Sequence, residues 1–164
     1  MHAPPKPKPV PEEKPVKKDI VSYNGEATWF DEGPSEAPVW KVEWKRADVV
    51  AVGETPGFGK MIGATGEIYH GDDIKSFKAD RAIAQSSNVL TLTGNVTVHS
   101  PKSAATLTCD KLVYDANEKV FDAQGNVSLK GKNIDITGVP EAKADADFTQ
   151  VASPDLFKRP NAKS

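Results

Sequence analysis

Three histidines, one cysteine and a glycine-rich loop are the first residues in this 164-residue chain to examine for chemistry. The stretch Gly53-Glu-Thr-Pro-Gly-Phe-Gly59-Lys60-Met61 resembles a phosphate-binding loop. Such a loop needs a glycine five places before Gly59 and a Ser or Thr after the lysine to meet Mg²⁺. Glu54 and Met61 stand at those places, so the stretch reads as a mobile loop between strands. His2, His70 and His99 are too scattered to share a metal ion. Cys109, alone, can make neither an internal disulfide nor a zinc cage. Against a nucleophilic pair with His99 stands its alternation with Leu107, which puts the thiol on an apolar face as a small buried hydrophobe. Asn95-Val-Thr97 and Asn126-Val-Ser128 fit the glycosylation sequon, but both lie on a repeated corner that the fold itself explains. Asp72-Asp73 and the pair Asp145 and Asp147 lack the ligand density of a calcium loop. No nucleophile–base pair and no metal set is left, so the expectation is a non-enzyme with no cofactor.

Charge narrows the class further. With 27% charged residues and a net charge of −2, the chain has no excess of Lys and Arg to neutralise phosphates, which excludes a strongly basic nucleic-acid binder. No apolar run approaches the roughly 18–20 residues that cross a bilayer. The first 18 residues, MHAPPKPKPVPEEKPVKK, hold six Pro and five Lys. Proline withholds a backbone donor and the lysines repel one another, so 1–19 is expected to be a disordered, extended linker. It has no apolar h-region and is not a signal peptide. The Pro-punctuated segment 152–164 is expected to be a flexible tail, which leaves 20–151 as the domain.

Within that span the elements are strands. Val, Ile and Thr outnumber Leu, and such β-branched side chains suit a pleated surface. Alternation is repeated in Val89-Leu90-Thr91-Leu92-Thr93, Val96-Thr97-Val98-His99, Thr106-Leu107-Thr108-Cys109, Val127-Ser128-Leu129-Lys130 and Ile134-Asp135-Ile136. Trp40, Val42 and Trp44 share one face of Trp40-Lys-Val-Glu-Trp44. Runs of about five residues bounded by Gly, Asn, Asp or Pro indicate an antiparallel all-β sandwich, barrel or roll. Asp73–Ala84 and Glu141–Asp147, the two places with any helical character, are read as strand and turn.

The strands repeat. Asp80 precedes Gly94-Asn95-Val96 as Asp110 precedes Gly125-Asn126-Val127, with steps of 30 residues between the aspartates and 31 between the glycines. A weaker copy runs from Trp40 through Asp48 to Gly63-Ala-Thr-Gly66, and a truncated one ends at Ile136-Thr-Gly138. Fixed periods of this length mark stacked supersecondary units. Gly and Asn tolerate positive φ, so the pair can turn or bulge a strand.

These motifs resemble the OstA-like β-jellyroll, the module of the lipopolysaccharide-transport bridge. The earlier segment Val39-Trp-Lys-Val-Glu-Trp44, with Gly66-Glu-Ile-Tyr69 and Phe77-Lys-Ala-Asp80, is similar to its LptC branch. The likeness covers about 25–150, with 31–38 as an insertion. It implies an open, twisted antiparallel β-jellyroll whose two sheets form a V-shaped apolar groove. The implied ligand is lipopolysaccharide, held by its lipid A acyl chains. The implied lining is Trp40, Val42, Trp44, Met61, Ile68, Phe77, Leu90, Leu92, Val96, Val98, Leu107, Cys109, Leu112, Tyr114, Phe121, Val127, Leu129, Ile134 and Ile136. The same side chains would equally form a closed core. Partner edges are expected at Ile20, Tyr23, Trp29 and Phe30, facing the periplasmic jellyrolls of an inner-membrane ABC transporter. Ile134, Ile136 and Phe148 would face the next, LptA-like jellyroll. The family implies a periplasmic protein, held at the inner membrane by a segment missing from this chain. Two other readings stay open. One is a soluble LptA-like bridge protein, and the other a carbohydrate-binding or structural sandwich using Trp29, Trp40 and Trp44 as stacking platforms.

Overall fold

Alternating side chains build eleven antiparallel strands in the computed structural model, which describes residues 17–30, 37–52, 55–84 and 88–157, with backbone alone for 17–20 and 49–58. They are β1 (Lys17–Tyr23), β2 (Glu26–Phe30), β3 (Pro38–Glu43), β4 (Arg46–Val52), β5 (Thr55–His70), β6 (Asp73–Ala84), β7 (Val89–Ser100), β8 (Ala105–Asp115), β9 (Val120–Lys130), β10 (Asp135–Asp145) and β11 (Val151–Ala152). One continuous sheet has the order β1-β4-β5-β6-β7-β8-β9-β10-β11, and β3 branches from β5 carrying β2. The all-β antiparallel architecture expected from alternation is the observed one, in the open form that the resemblance implies.

The strands are longer than their motifs. Val89–Thr93 and Val96–His99 are two halves of β7, and the ladder continues through Gly94-Asn95 with one register shift. Matching shifts fall between Lys78 and Arg81 on β6, between Thr108 and Lys111 on β8, and between Ile136 and Val139 on β10. The Gly-Asn corner is therefore a bulge that bends a strand and not a hairpin that ends it. Gly94 and Gly125 take φ of 79° and 78°, and Asn95 and Asn126 both take 48°. Each asparagine donates its Nδ2–H to the aspartate on the neighbouring strand, Asn95 to Asp80 and Asn126 to Asp110, at 3.0 Å in both cases. Gly63 continues the line at φ 64°, 31 residues before Gly94, and packs on Lys45 in place of an aspartate.

The aligned bends fold the sheet so that two layers face each other. On β6 the buried alternation Asp73, Lys75, Phe77, Ala79 skips a place at Asp80-Arg81 and resumes at Ala82 and Ala84. Both halves thus send their apolar sides inward, to a single core cluster running from Trp40 to Ala146. Burial of this kind contributes about 25 cal/mol per Å² of apolar surface.

Some expectations shift. Residues 1–16, the 31–36 part of the insertion, 53–54 and 158–164 lie outside the described residues. The arm ends earlier than Ile20, because Lys17, Lys18 and Asp19 pair with Val52, Ala51 and Val50. A ladder needs backbone groups and not apolar side chains, and lysines are ordinary on edge strands. The glycine-rich stretch is not a loop beyond Glu54. Thr55–Lys60 opens β5, with Gly59 paired to Val49 on one side and Ala84 on the other. Two flanking strands hold Gly59 extended, and Pro56 sits at a register irregularity, where a missing N–H is tolerated. Asp73–Ala84 is strand throughout, and β10 takes in Glu141–Asp145.

Candidate functional site

The bends bring most of the expected groove lining onto one inner surface. Trp40, Val42, Met61, Ile68, Phe77, Leu90, Leu92, Val96, Val98, Leu107, Cys109, Leu112, Tyr114, Phe121, Val127 and Leu129 are all buried in one contiguous cluster. Trp44, Ile134 and Ile136 are half-buried against its margin. The chain's own side chains fill this interior, packing the two layers on each other. Cys109 lies among them as a buried hydrophobe, its thiol pushed up to about 12 by burial and then by the charge of Asp110. That removes it as a nucleophile at neutral pH. Trp40 is fully buried and is no exposed sugar platform.

An aromatic column crosses the interior. Trp29 meets Trp40 at 6.3 Å between ring centroids, Trp40 meets Tyr114 at 6.4 Å, Tyr114 meets Phe121 at 4.5 Å, and Phe121 meets Phe148 at 5.2 Å. Trp40 stands on β3, which pairs with the Thr65–Ile68 part of β5, so its contact with Tyr114 on β8 joins the two layers. Rings packed edge to face or tilted at these distances add attraction beyond their buried area. Phe148 was expected on a docking edge. It follows β10 in the turn Ala146–Gln150, where a φ of 58° aims its ring inward at Phe121.

At the mouth of the roll, away from the line of bends, three segments converge: the β5–β6 hairpin around Gly71, the turn Ala116–Lys119, and the turn Ala146–Gln150. His70 donates Nδ1–H to Asp147 Oδ1 at 3.0 Å, tying the hairpin to the last turn. The Asp147 carboxyl is lowered from its ordinary value chiefly by this hydrogen bond, with help from the charges of His70, Lys75 and Lys102. The Asp145 side chain braces the same turn from within, accepting from Thr149 Oγ1 and from the Gln150 N–H. A depression of about 150 Å³ lies beside the tie, lined by Val39, Tyr69, His70, Asn88, Tyr114 and Lys119 among others.

Beneath that turn is a feature that alternation did not announce. Lys75 and Asp73 occupy inward positions of β6, only 1% and 2% exposed, and are ion-paired to each other. The ring of Phe148 covers Lys75 Nζ at 5.1 Å from its centroid. The reading of Asp73–Ala84 as strand and turn assigned no face to Asp73 or Lys75; both point inward, and Ile74 is exposed. The signal that could have revealed this was the phase of Phe77 and Ala79, which sit an even number of places from Lys75.

The sheet ends in two places at its first strands and in one at its last. β1 ends the strand order, exposing Val21 and Tyr23, and β2 ends the branch, exposing Phe30. Trp29 turns in towards Trp40, and the side chain of Ile20 lies outside the described residues. At the other end β11 pairs β10 only at Lys143 and Ala144. Beside the remaining edge of β10 is an apolar depression of about 450 Å³, lined by Ile136, Val139, Pro140, Ala142, Val151 and Pro154 among others.

Among the described residues no helix is long and apolar enough to cross a membrane. A family model described as LptC: Lipopolysaccharide-assembly, LptC-related matches residues 68–140, the stretch from the end of β5 into β10. No curated protein matches the chain.

Proposed function

From an LptC-related segment of the lipopolysaccharide-assembly family at residues 68–140, we propose that this chain is a lipid-carrying jellyroll in a lipopolysaccharide-transport bridge. The family is one of periplasmic bridge components and not of enzymes. The finer steps are our own reading. Acyl chains of lipid A would enter between the layers and lie along the inner face from Phe77 through Leu92 and Leu112 to Phe121. They would then pass to the next jellyroll across the β10 edge. Anchoring to the inner membrane by a segment outside this chain, and receipt of lipid at the β1 and β2 edges from transporter jellyrolls, belong to the same proposal.

One observation carries it: apart from Asp73, Lys75 and Ser100 at one end, both layers present an apolar surface to a shared interior. Acyl burial is worth about 0.8 kcal/mol per CH₂ and needs no directional bond, so such a surface holds a lipid at any position along it. A carrier must also release its load. An apolar trough gives nearly equal stabilisation at each position, so a lipid pushed from behind meets no deep trap. The driving energy would come from an ATP-driven transporter elsewhere.

Photo-crosslinking amino acids at Leu92, Phe121 and Ile136 test this during transport in cells. Capture of lipopolysaccharide at the two interior sites is the expected result, with an adduct to a neighbouring jellyroll at Ile136. Absence of a lipid adduct at all three sites refutes the carrier reading.

A further inference from the structure

The inner wall is apolar except at one end, where β6 places Asp73 and Lys75 in line with Phe77 and Ala79. Lys75 Nζ bonds Asp73 Oδ2, while Asp73 Oδ1 is buried with no hydrogen-bond partner. Packing alone gives no reason for this arrangement. A buried ion pair is generally no more stabilising than apolar residues of the same volume, and an orphaned carboxylate oxygen adds a further penalty. The pair is also incompletely built as an internal neutraliser, since half of the carboxylate is left unused.

Its surroundings point to a ligand. The ring of Phe148, carried on the turn Ala146–Gln150, lies over Lys75. That ring sits on a residue with φ of 58°, an unfavourable backbone for an aromatic side chain. The turn is fastened to the opposite layer by the His70–Asp147 tie. Below Lys75 the wall is purely apolar, with Phe77, Ile68 and Val98 at hand. A recessed cation at one end of an apolar wall is the pattern that recognises an amphiphile with an anionic head.

We infer that Lys75 is the headgroup site of the roll: as Phe148 lifts, the ammonium shifts its ion pair from Asp73 to a phosphate of the bound amphiphile. A phosphate monoester carries nearly two negative charges and three acceptor oxygens, so it competes well with the single charge of Asp73. Asp73 meanwhile keeps Lys75 from being an uncompensated buried charge when the roll is empty. This inference rests on the lipid-carrier reading and specifies the part of the lipid that the site selects.

The test compares binding of the full chain to detergent-dispersed lipid A in two forms, phosphorylated and dephosphorylated, with inorganic phosphate as competitor. The wild type should prefer the phosphorylated form roughly tenfold, the scale of one charge-assisted contact. The double variant Lys75→Met with Asp73→Asn, which leaves no charge unpaired, should bind both forms at the weaker level. Millimolar inorganic phosphate should displace neither form. Phe148→Ala, which removes only the half-buried cover, should speed capture of the phosphorylated form alone. Equal wild-type affinity for both forms, a preference that survives in the double variant, or equal acceleration of both forms by Phe148→Ala overturns the headgroup site and leaves the carrier reading standing. Displacement by inorganic phosphate makes Lys75 a free-anion site and likewise overturns it. A wild type that captures neither form refutes both.

Discussion

A Cβ added to Gly94 would lie 2.6 Å from Asp80 Oδ2, and one added to Gly125 would meet Asp110 Oδ2 at the same distance. Both glycines also hold positive φ, so alanine at either is strained in backbone and side chain alike. Gly94→Ala and Gly125→Ala should each lower stability by about 1–3 kcal/mol, read as similar shifts of the urea midpoint. Gly71→Ala is the control, since its φ is positive but no atom stands within 4 Å of the added methyl; it should cost clearly less. Asp147 supplies a second residue-scale outcome. Its folded carboxyl is held below the ordinary 3.8 by His70 first, then by Lys75 and Lys102. A depressed folded value means that the tie contributes fully above 3.8 and is lost as pH falls through the folded value. Asp147→Asn should therefore be less stable than wild type at neutral pH, with the gap closing as acid is added below pH 3.8. A gap that stays constant down that limb would show that Asp147 does not act through its charge.

Edge strands expose unpaired backbone, and this chain leaves the lower edge of β10 open while β11 occupies only Lys143 and Ala144. An incoming strand would pair below that point, with a side chain reaching the depression around Ile136 and Val139. Pro140, at a register shift in β10, lacks an N–H and limits how far such pairing can run. Ile136→Lys puts a charge in the apolar depression and should weaken docking of the proposed neighbouring jellyroll by about 30-fold or more, measured by pull-down or interferometry. Its fold should suffer less than that of Leu92→Ala, where a fully buried side chain is lost at about 2–5 kcal/mol. Unchanged docking would move the interface away from this edge. Element type was legible from alternation where alternation was clear, and not at Lys17–Asp19 or Thr55–Lys60; element length was not legible. A bulge interrupts the side-chain period while the hydrogen-bond ladder continues, so Val89–Thr93 and Val96–His99 read as two strands and are one. Lys75 and Asp73 went unseen for a different reason: they lie in unbroken phase with Phe77 and Ala79, but their polarity argues against an inward position.

At the scale of the molecule, the roll proposed to carry lipid is filled by its own side chains. The repeat made the stacked, bent architecture legible, because Asp, Gly and Asn recur at nearly constant spacing and each trio bends its strand in the same sense. Whether the layers stand apart or together was beyond reach of any periodicity, since an inward Leu reads the same against a lipid and against another Leu. Filling has a consequence for mechanism. Acyl chains can reach Leu92 and Leu112 only if the layers separate, and the contacts joining them at the mouth include His70 to Asp147, Lys75 to Phe148, and Trp40 to Tyr114. Interior packing is close to crystalline density, so insertion without separation would demand overpacking of a kind that cores resist. Joining His70→Cys and Asp147→Cys with a short bis-maleimide should therefore abolish lipid A capture, while the same variant left unlinked binds at least as fast as wild type. Cys109, buried and with its thiol raised to about 12, should stay silent to the reagent and leave the introduced pair as the target. If the linked roll captures lipid at an unchanged rate, the acyl chains lie on an outer surface and the interior is only a core.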